Sequence, residues 1–205
     1  MARKTKEEVL EEFRCGSIQD AAMAVIARKG IDDTTIQDIA DEAGIAKGTV
    51  YVYFRDREEL LAKTADRLFG NLLGELTPAF DAPGSFAARL RGLVRRQLRF
   101  FDEHKALFRA TMALSHREAE SHKGKTRFFA QYMAKLEATF TDAAASGELR
   151  AGLDPHAVAA VYRDCVRGVI LRRLDPKLKT KNAAEDDAEF IVSLFLRGVH
   201  AGEGR

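Results

Sequence analysis

The stretch from Thr34 to Leu61, TTIQDIADEAGIAKGTVYVYFRDREELL, constrains the fold more than any other part of the chain. It opens on Thr34 and Thr35, with Gln37 and Asp38 three residues after them, a capping-box spacing. Ile36, Ile39, Ala40 and Ala43 then recur at helical spacing and give one short apolar stripe. Gly44 follows as a C-cap or turn glycine. A second helix over residues 46–54 turns Val50 and Phe54 inward and carries Lys47, Thr49, Tyr51 and Tyr53 on its other faces. Arg57-Glu58-Glu59 begins a further helix, and its acidic first turn suits the helix dipole. Two short helices around a glycine turn, the second rich in Lys, Thr and Tyr, have the layout of a helix-turn-helix DNA reader.

The rest of the chain also reads as helix. A first helix over 6–28 repeats Val9, Phe13, Ile18, Ala21, Ala24 and Val25 on one side and ends at Lys29-Gly30. It is expected to pack across the two short helices and complete a three-helix unit. The helix that starts at Arg57 continues to residue 79 through Leu60, Leu61, Thr64, Leu68, Leu72 and Leu76. Asp81-Ala82-Pro83-Gly84 breaks the chain, and Ser85 caps a helix over 86–102. Helices follow over 105–117, 126–145, 155–174 and 185–200, with Pro155 at the first helical position of the third of these. The expected fold is all-α, with about nine helices. An N-terminal helix-turn-helix domain at 1–57 precedes a larger helical domain at 58–205.

The run from Ala43 to Leu60, AGIAKGTVYVYFRDREEL, resembles the DNA-binding signature of the tetracycline-repressor (TetR) family of bacterial transcriptional regulators. The likeness spans roughly residues 9–61, and the glycine turn, the Lys-Gly-Thr run, the Tyr-x-Tyr-Phe run and the Glu-Glu-Leu all match in register. It implies Lys47, Gly48 and Thr49 near base edges. It also implies Tyr51, Tyr53 and Arg57 on phosphates. The residue chemistry agrees: the start of a recognition helix meets the bases, Gly48 permits close backbone approach, and Thr49 can bond a base edge or pack on a thymine methyl. Thr34 or Thr35 at a helix N-terminus is expected to reach phosphate. Two positions depart from the family pattern. Ala46 stands where a capping Ser is usual, a loss of about 1 kcal/mol. Val52 stands where an aromatic or polar residue is common.

Charge bears on how such a unit would hold DNA. The chain is only +2 overall, and residues 1–57 hold nine Lys and Arg against eleven Asp and Glu, a net of −2. Binding must therefore rest on local placement: Arg3, Lys4 and Lys6 in a basic N-terminal arm, and Lys47, Arg55 and Arg57 on or after the second short helix. A modest phosphate footprint and a modest salt dependence follow. The partner expected is a double-stranded DNA operator.

The larger domain is rich in Phe and Tyr. In the family the chain resembles, an internal cavity of this domain holds a small apolar or amphipathic effector, and the wall expected here is Phe101, Phe108, Met112, Phe129, Tyr132 and Tyr162. Arg91, Arg95 and Arg99 make a basic ridge, read as a solvated face. The last helix contains FIVSLFL and is apolar on nearly every side, which calls for a second burying surface. The simplest is a twin copy. The last two helices of each chain would then form an isologous four-helix bundle through Ala160, Gly168, Leu171, Ile191, Leu194 and Phe195.

The resulting expectation is a dimeric, ligand-responsive regulator, most simply a repressor released from a palindromic operator by its effector. The alternative is a constitutive DNA-binding dimer without an effector. No nucleophile–base set, phosphate loop or metal cluster suggests an enzyme or a cofactor. His116, Glu120 and His122 do not share one helical face, so no metal site is expected. No apolar run approaches the length of a membrane span, and no signal-peptide core opens the chain, so a cytoplasmic location is expected. Cys15 and Cys165 are read as buried free thiols.

Overall fold

A computed structural model describes residues 5–114, 123–175, 177–178 and 183–199, and for 111–114, 123–126 and 199 the backbone only. Among the described residues there are nine helices and no sheet: α1 Lys6–Lys29, α2 Ile36–Ala43, α3 Lys47–Tyr53, α4 Arg57–Phe80, α5 Phe86–Glu103, α6 Lys105–Leu114, α7 Lys123–Ala145, α8 Pro155–Leu174 and α9 Ala184–Val199. No described helix is long and apolar enough to cross a membrane.

The chain divides into two compact units, Met1–Phe69 with His104–Lys125, and Gly70–Glu103 with Thr126–Arg205. The division falls inside α4, twelve residues beyond the expected boundary after residue 57, and the first unit also takes in α6.

The first unit is built on α1, α2, α3 and the start of α4. Ile18, Ala21, Ala22 and Val25 of α1 meet Ile36, Ile39 and Ala40 of α2, Val50 of α3, and Phe54 and Leu60 beyond it. Burial of such a set removes some 1.5–3 kcal/mol of exposure cost for each large side chain. Of the expected stripe on α1, Ile18, Ala21 and Val25 are buried, and Ala24 is exposed. Val9 and Phe13 are exposed (53% and 69%). The reason is length: at about 1.5 Å per residue α1 spans roughly 36 Å, while α2 and α3 span roughly 12 and 10 Å. Two short helices cover only part of it, so the first ten residues of α1 overhang. Gly16 marks the junction. A Cβ there would lie 3.1 Å from Nη1 of Arg67, whose guanidinium crosses α1 to bond Asp20 at 3.0 and 2.9 Å. Between α1, α4 and α6 lies an apolar cavity of about 10 Å³, lined by Ile26, Ile31, Leu61, Thr64, Ala65, Leu68, Leu107 and Ala110.

In the second unit α5 lies along α9, and α8 packs on both. Phe86, Phe140, Tyr162 and Phe195 form a chain of rings with centroids 4.9 to 5.9 Å apart. A buried ion-pair knot joins the same three helices. Arg173 of α8, 5% exposed, donates from Nε and Nη2 to both carboxylate oxygens of Asp102 and from Nη1 to Oδ2 of Asp187 at 2.6 Å. The basic ridge on α5 is paired as well: Arg91 and Arg95 reach Glu189, and Arg99 reaches Glu185. It ties α5 to α9 and is not a free patch.

Candidate functional site

The site begins with the cap of α2. Thr35 Oγ1 accepts the amide of Asp38 at 3.1 Å, while Asp38 Oδ2 accepts the amide and hydroxyl of Thr35 at 3.0 and 2.8 Å. Lys29 donates to the other Asp38 oxygen at 2.5 Å. These bonds, the one from Lys29 foremost, hold the Asp38 carboxyl at about 2, below its ordinary 3.8. The helix closes at Gly44 in the left-handed conformation (φ 67°, ψ 33°), which a Cβ would disfavour. Ile45 then donates back to Ala40 O at 3.0 Å, and the turn delivers the chain into α3.

Helix α3 is seven residues long and is held by one buried side chain of its own, Val50, with Phe54 just past its end. Ala46 is the N-cap, and no side chain caps the helix, as the departure from the family pattern implies. Lys47, Gly48, Tyr51 and Val52 are exposed, and Thr49 and Tyr53 are half-buried. Val52 stands 76% clear, so an aliphatic side chain is presented at the centre of the outer face. A Cβ at Gly48 would meet nothing within 4 Å. Packing within the chain therefore does not call for glycine here, although glycine costs about 1 kcal/mol in a helix.

Three of the expected phosphate contacts are turned to other work. Thr34 is 2% exposed, and its hydroxyl donates to Gly30 O at 2.6 Å. The Thr35 hydroxyl is committed to Asp38. Arg57 donates from Nε to Thr34 O at 3.1 Å and from Nη2 to Ile31 O at 2.5 Å. Its guanidinium braces the turn before α2 against the start of α4. Thr34 and Arg57 share a physical reason: the turn 30–35 leaves carbonyls that lack a helical partner and must be bonded, whereas Thr35 serves the capping box of α2. Arg55 pairs with Asp56 at 2.7 Å, and Asp56 caps α4 by accepting from Glu59 N at 2.7 Å. Arg3 and Lys4 lie outside the described residues, as do His116, Glu120 and His122. What remains on the outer face of α3 is Lys47, Gly48, Thr49, Tyr51, Val52 and Tyr53.

The residues of the expected effector wall are drawn from both units. Phe108 belongs to the first unit, edge-on to Phe69 at 5.7 Å, and the side chain of Met112 lies outside the described residues. Phe101, Phe129, Tyr132 and Tyr162 belong to the second. Phe101 and Phe129 are half-buried. Tyr132 is buried, stacked on Phe128 at 5.6 Å and edge-on to Phe80 at 5.9 Å. Its hydroxyl donates to Gln97 Oε1 at 3.3 Å, a polar partner that the sequence pattern gave no reason to single out. Desolvation pushes both phenols up, Tyr162 well above the ordinary value of 10.

On the last two helices the expected interface divides. Gly168, Leu171 and Leu194 are exposed and Ala160 is half-buried. Ile191 and Phe195 are buried at 5% and 9%, the latter between Phe140 and Tyr162 of its own chain. The outward apolar face is Val161 and Leu171 on α8 with Phe190 and Leu194 on α9, exposed by 39 to 62%. Cys165 shares this face and is exposed, and Cys15 is half-buried, so neither is the buried thiol expected.

Known proteins share this architecture. Residues 18–64 match the family model for bacterial regulatory proteins of the tetR family. The transcriptional regulator AcrR of Shigella flexneri is 24% identical over 212 residues, covering 96% of this chain and 94% of its own. The crystal structure of a TetR-family transcriptional regulator from Mesorhizobium loti superposes with a TM-score of 0.75 at 22% identity, over 97% of this chain and 100% of that one. The regulator FadR of Bacillus subtilis, crystallised with stearoyl-CoA, superposes with a TM-score of 0.70 at 21% identity, over 90% and 98%.

Proposed function

We propose, from the premise that the chain belongs to the tetR family of bacterial regulatory proteins, that it is a dimeric repressor released from a palindromic operator by a small apolar or amphipathic effector. The observation that carries the reading is the outer face of α3. It is held from behind by Val50 and Phe54 and presents Lys47, Gly48, Thr49 and Tyr51 outward. The glycine that packing does not require is the residue that lets this backbone approach DNA.

DNA reading belongs to residues 1–57, effector binding and dimerisation to 58–205. Lys47, Gly48 and Thr49 lie at base edges, Val52 on a thymine methyl, and Tyr51 and Tyr53 at phosphates. The second copy covers Val161, Leu171, Phe190 and Leu194, so that two α3 helices address half-sites about 34–36 Å apart or a multiple of that. Effector binding acts through α4, and a coupling of about 1–3 kcal/mol suffices to release the operator. The complex of the Bacillus subtilis relative with stearoyl-CoA supports an amphipathic effector with an apolar chain. The place of action is the cytoplasm.

The ring-on-ring packing of Phe86, Phe140, Tyr162 and Phe195 favours the second reading, a constitutive DNA-binding dimer whose second unit only dimerises.

Selection of bound sites from a random DNA pool tests the assignment. An enriched inverted repeat is expected, and Thr49→Ala should relax the preferred base at one position of each half-site more than it lowers affinity. Enrichment of no sequence would remove the operator reading. Release of that site by an extracted apolar molecule separates the effector-driven repressor from the constitutive dimer.

A further inference from the structure

Tyr162 is fully enclosed in the second unit, and its hydroxyl has no hydrogen-bond partner. Folded chains leave few buried polar groups unbonded, because each carries the desolvation cost of a lost partner. Here the group is placed by strong packing: its ring lies 5.7 Å from Phe140 and 5.3 Å from Phe195. It cannot swing to solvent without breaking that stack.

A second buried phenol, Tyr132, acts on it electrostatically and has a neutral partner of its own. Tyr132, 1% exposed, donates to Gln97, 6% exposed, at 3.3 Å, longer than the 2.7–2.8 Å usual between oxygens. The two phenols are close enough for charge on one to oppose charge on the other. Helices α5, α7 and α8 therefore each bring one uncharged hydrogen-bonding group into an aromatic interior.

The cation that acts on Tyr132 is already matched. Arg163 is near enough to act on Tyr132, yet its Nε and Nη2 bond both carboxylate oxygens of Asp164 at 2.9 and 3.0 Å. Its Nη1 lies 3.6 Å from Met133 Sδ. Arg163 is therefore not open to pair with an anion beside the two phenols, and an anion buried without a partner is strongly unfavourable. A carbonyl or alcohol oxygen would accept the Tyr162 proton without that cost.

We propose that the Tyr162 hydroxyl, in the same interior as the Tyr132–Gln97 pair, forms a head-group site for an uncharged oxygen, of a ketone, ester or alcohol, on an otherwise apolar molecule. The inference rests on the reading of the second unit as the effector-binding part and specifies which end of the effector enters it.

The chain has no Trp and four Tyr, of which Tyr132 and Tyr162 lie in this interior, so with Tyr51 and Tyr53 replaced by Phe the tyrosine emission reports on the site. The full-length protein is titrated with methyl octyl ketone, decanol, decanoate and decane, followed by tyrosine emission and by melting temperature. The ketone and the alcohol should bind at least about tenfold more tightly than decanoate or decane, as one well-made buried hydrogen bond allows. Tyr162→Phe should lose about the same factor for the ketone, and its melting temperature without probe should not fall, because the hydroxyl has no bond to lose. Equal ketone affinity in Tyr162→Phe, decanoate binding as tightly as the ketone, or a lower melting temperature of the unliganded variant would each overturn the proposal. Binding of all four probes without preference overturns the head-group assignment and leaves the apolar-effector reading standing. No response to any of them removes both.

Discussion

Replacing Arg173 by Met tests how the second unit is held together. The guanidinium is enclosed, bonded to both oxygens of Asp102 and to Asp187. Removing it leaves Asp187, 2% exposed, as a buried carboxylate that has lost its 2.6 Å bond and has Arg172 at 3.6 Å. Loss of one partner from a buried ion pair costs about 3–5 kcal/mol. Two features pull toward the lower end. The Asp102 side chain is 34% exposed and regains water, and Arg172 can close on Asp187. The expected loss is therefore about 3 kcal/mol, a fall in melting temperature of roughly 6–12 °C for a chain of this size. Urea unfolding at neutral pH and fixed protein concentration reads it as a lower midpoint with an unchanged slope. Adding Asp187→Leu should restore most of the loss, because the one carboxylate then left without Arg173 is Asp102, which regains water. A single variant within about 1 kcal/mol of the parent, or a double variant whose losses simply add, would refute the reasoning.

Three other perturbations address the remaining assignments. Leu194→Glu should give monomers by light scattering with the chain still folded, whereas Phe195→Glu should unfold it, since that ring packs on Phe140 and Tyr162; a dimer that survives Leu194→Glu sinks the four-helix bundle. Arg57→Ala should cost about 1.5–3 kcal/mol of stability through its bonds to Thr34 O and Ile31 O and leave the salt dependence of DNA binding unchanged. A salt slope smaller by about one with stability intact would restore the phosphate role. The Asp38 carboxyl, bonded by Lys29 and Thr35, titrates near 2 and not at its ordinary 3.8. Its folded value is depressed, so its contribution to the α2 cap is complete above pH 4 and disappears as pH falls toward 2. An NMR titration midpoint close to 3.8 would contradict the bonding.

The boundaries of α2 and α3 were legible because local chemistry sets them: Thr35 and Asp38 cap, Gly44 turns, and Val50 and Phe54 anchor. The run of apolar residues on α1 gave the buried face but not its extent, because periodicity carries no information on how long the covering helices are. Arg57 shows a second limit. Its type and place suggested phosphate, but the carbonyls that hold it come from residues 23 and 26 positions earlier. The apolar character of α9 signalled two burying surfaces and left open which residues face which. Phe195 turned to its own core and Phe190 outward. The knot of Arg173, Asp102 and Asp187 was invisible for a related reason: a charge in sequence reads as surface, and the partners lie 71 and 14 residues away.

The overhang of α1 gives one helix two kinetic lives. Up to Arg14 the helix opens on a capping box of Thr5 and Glu8, and its residues are exposed. From Gly16, where Arg67 lies against it, the same ladder is clamped by Ile18, Ala22 and Val25. Amide protons of the first part exchange with solvent by fraying, within a small fraction of the time that the second part needs, since the latter must wait for the unit to open. Protection against deuterium should therefore rise steeply along α1 within one turn of Gly16, with no break in the helix to mark the place.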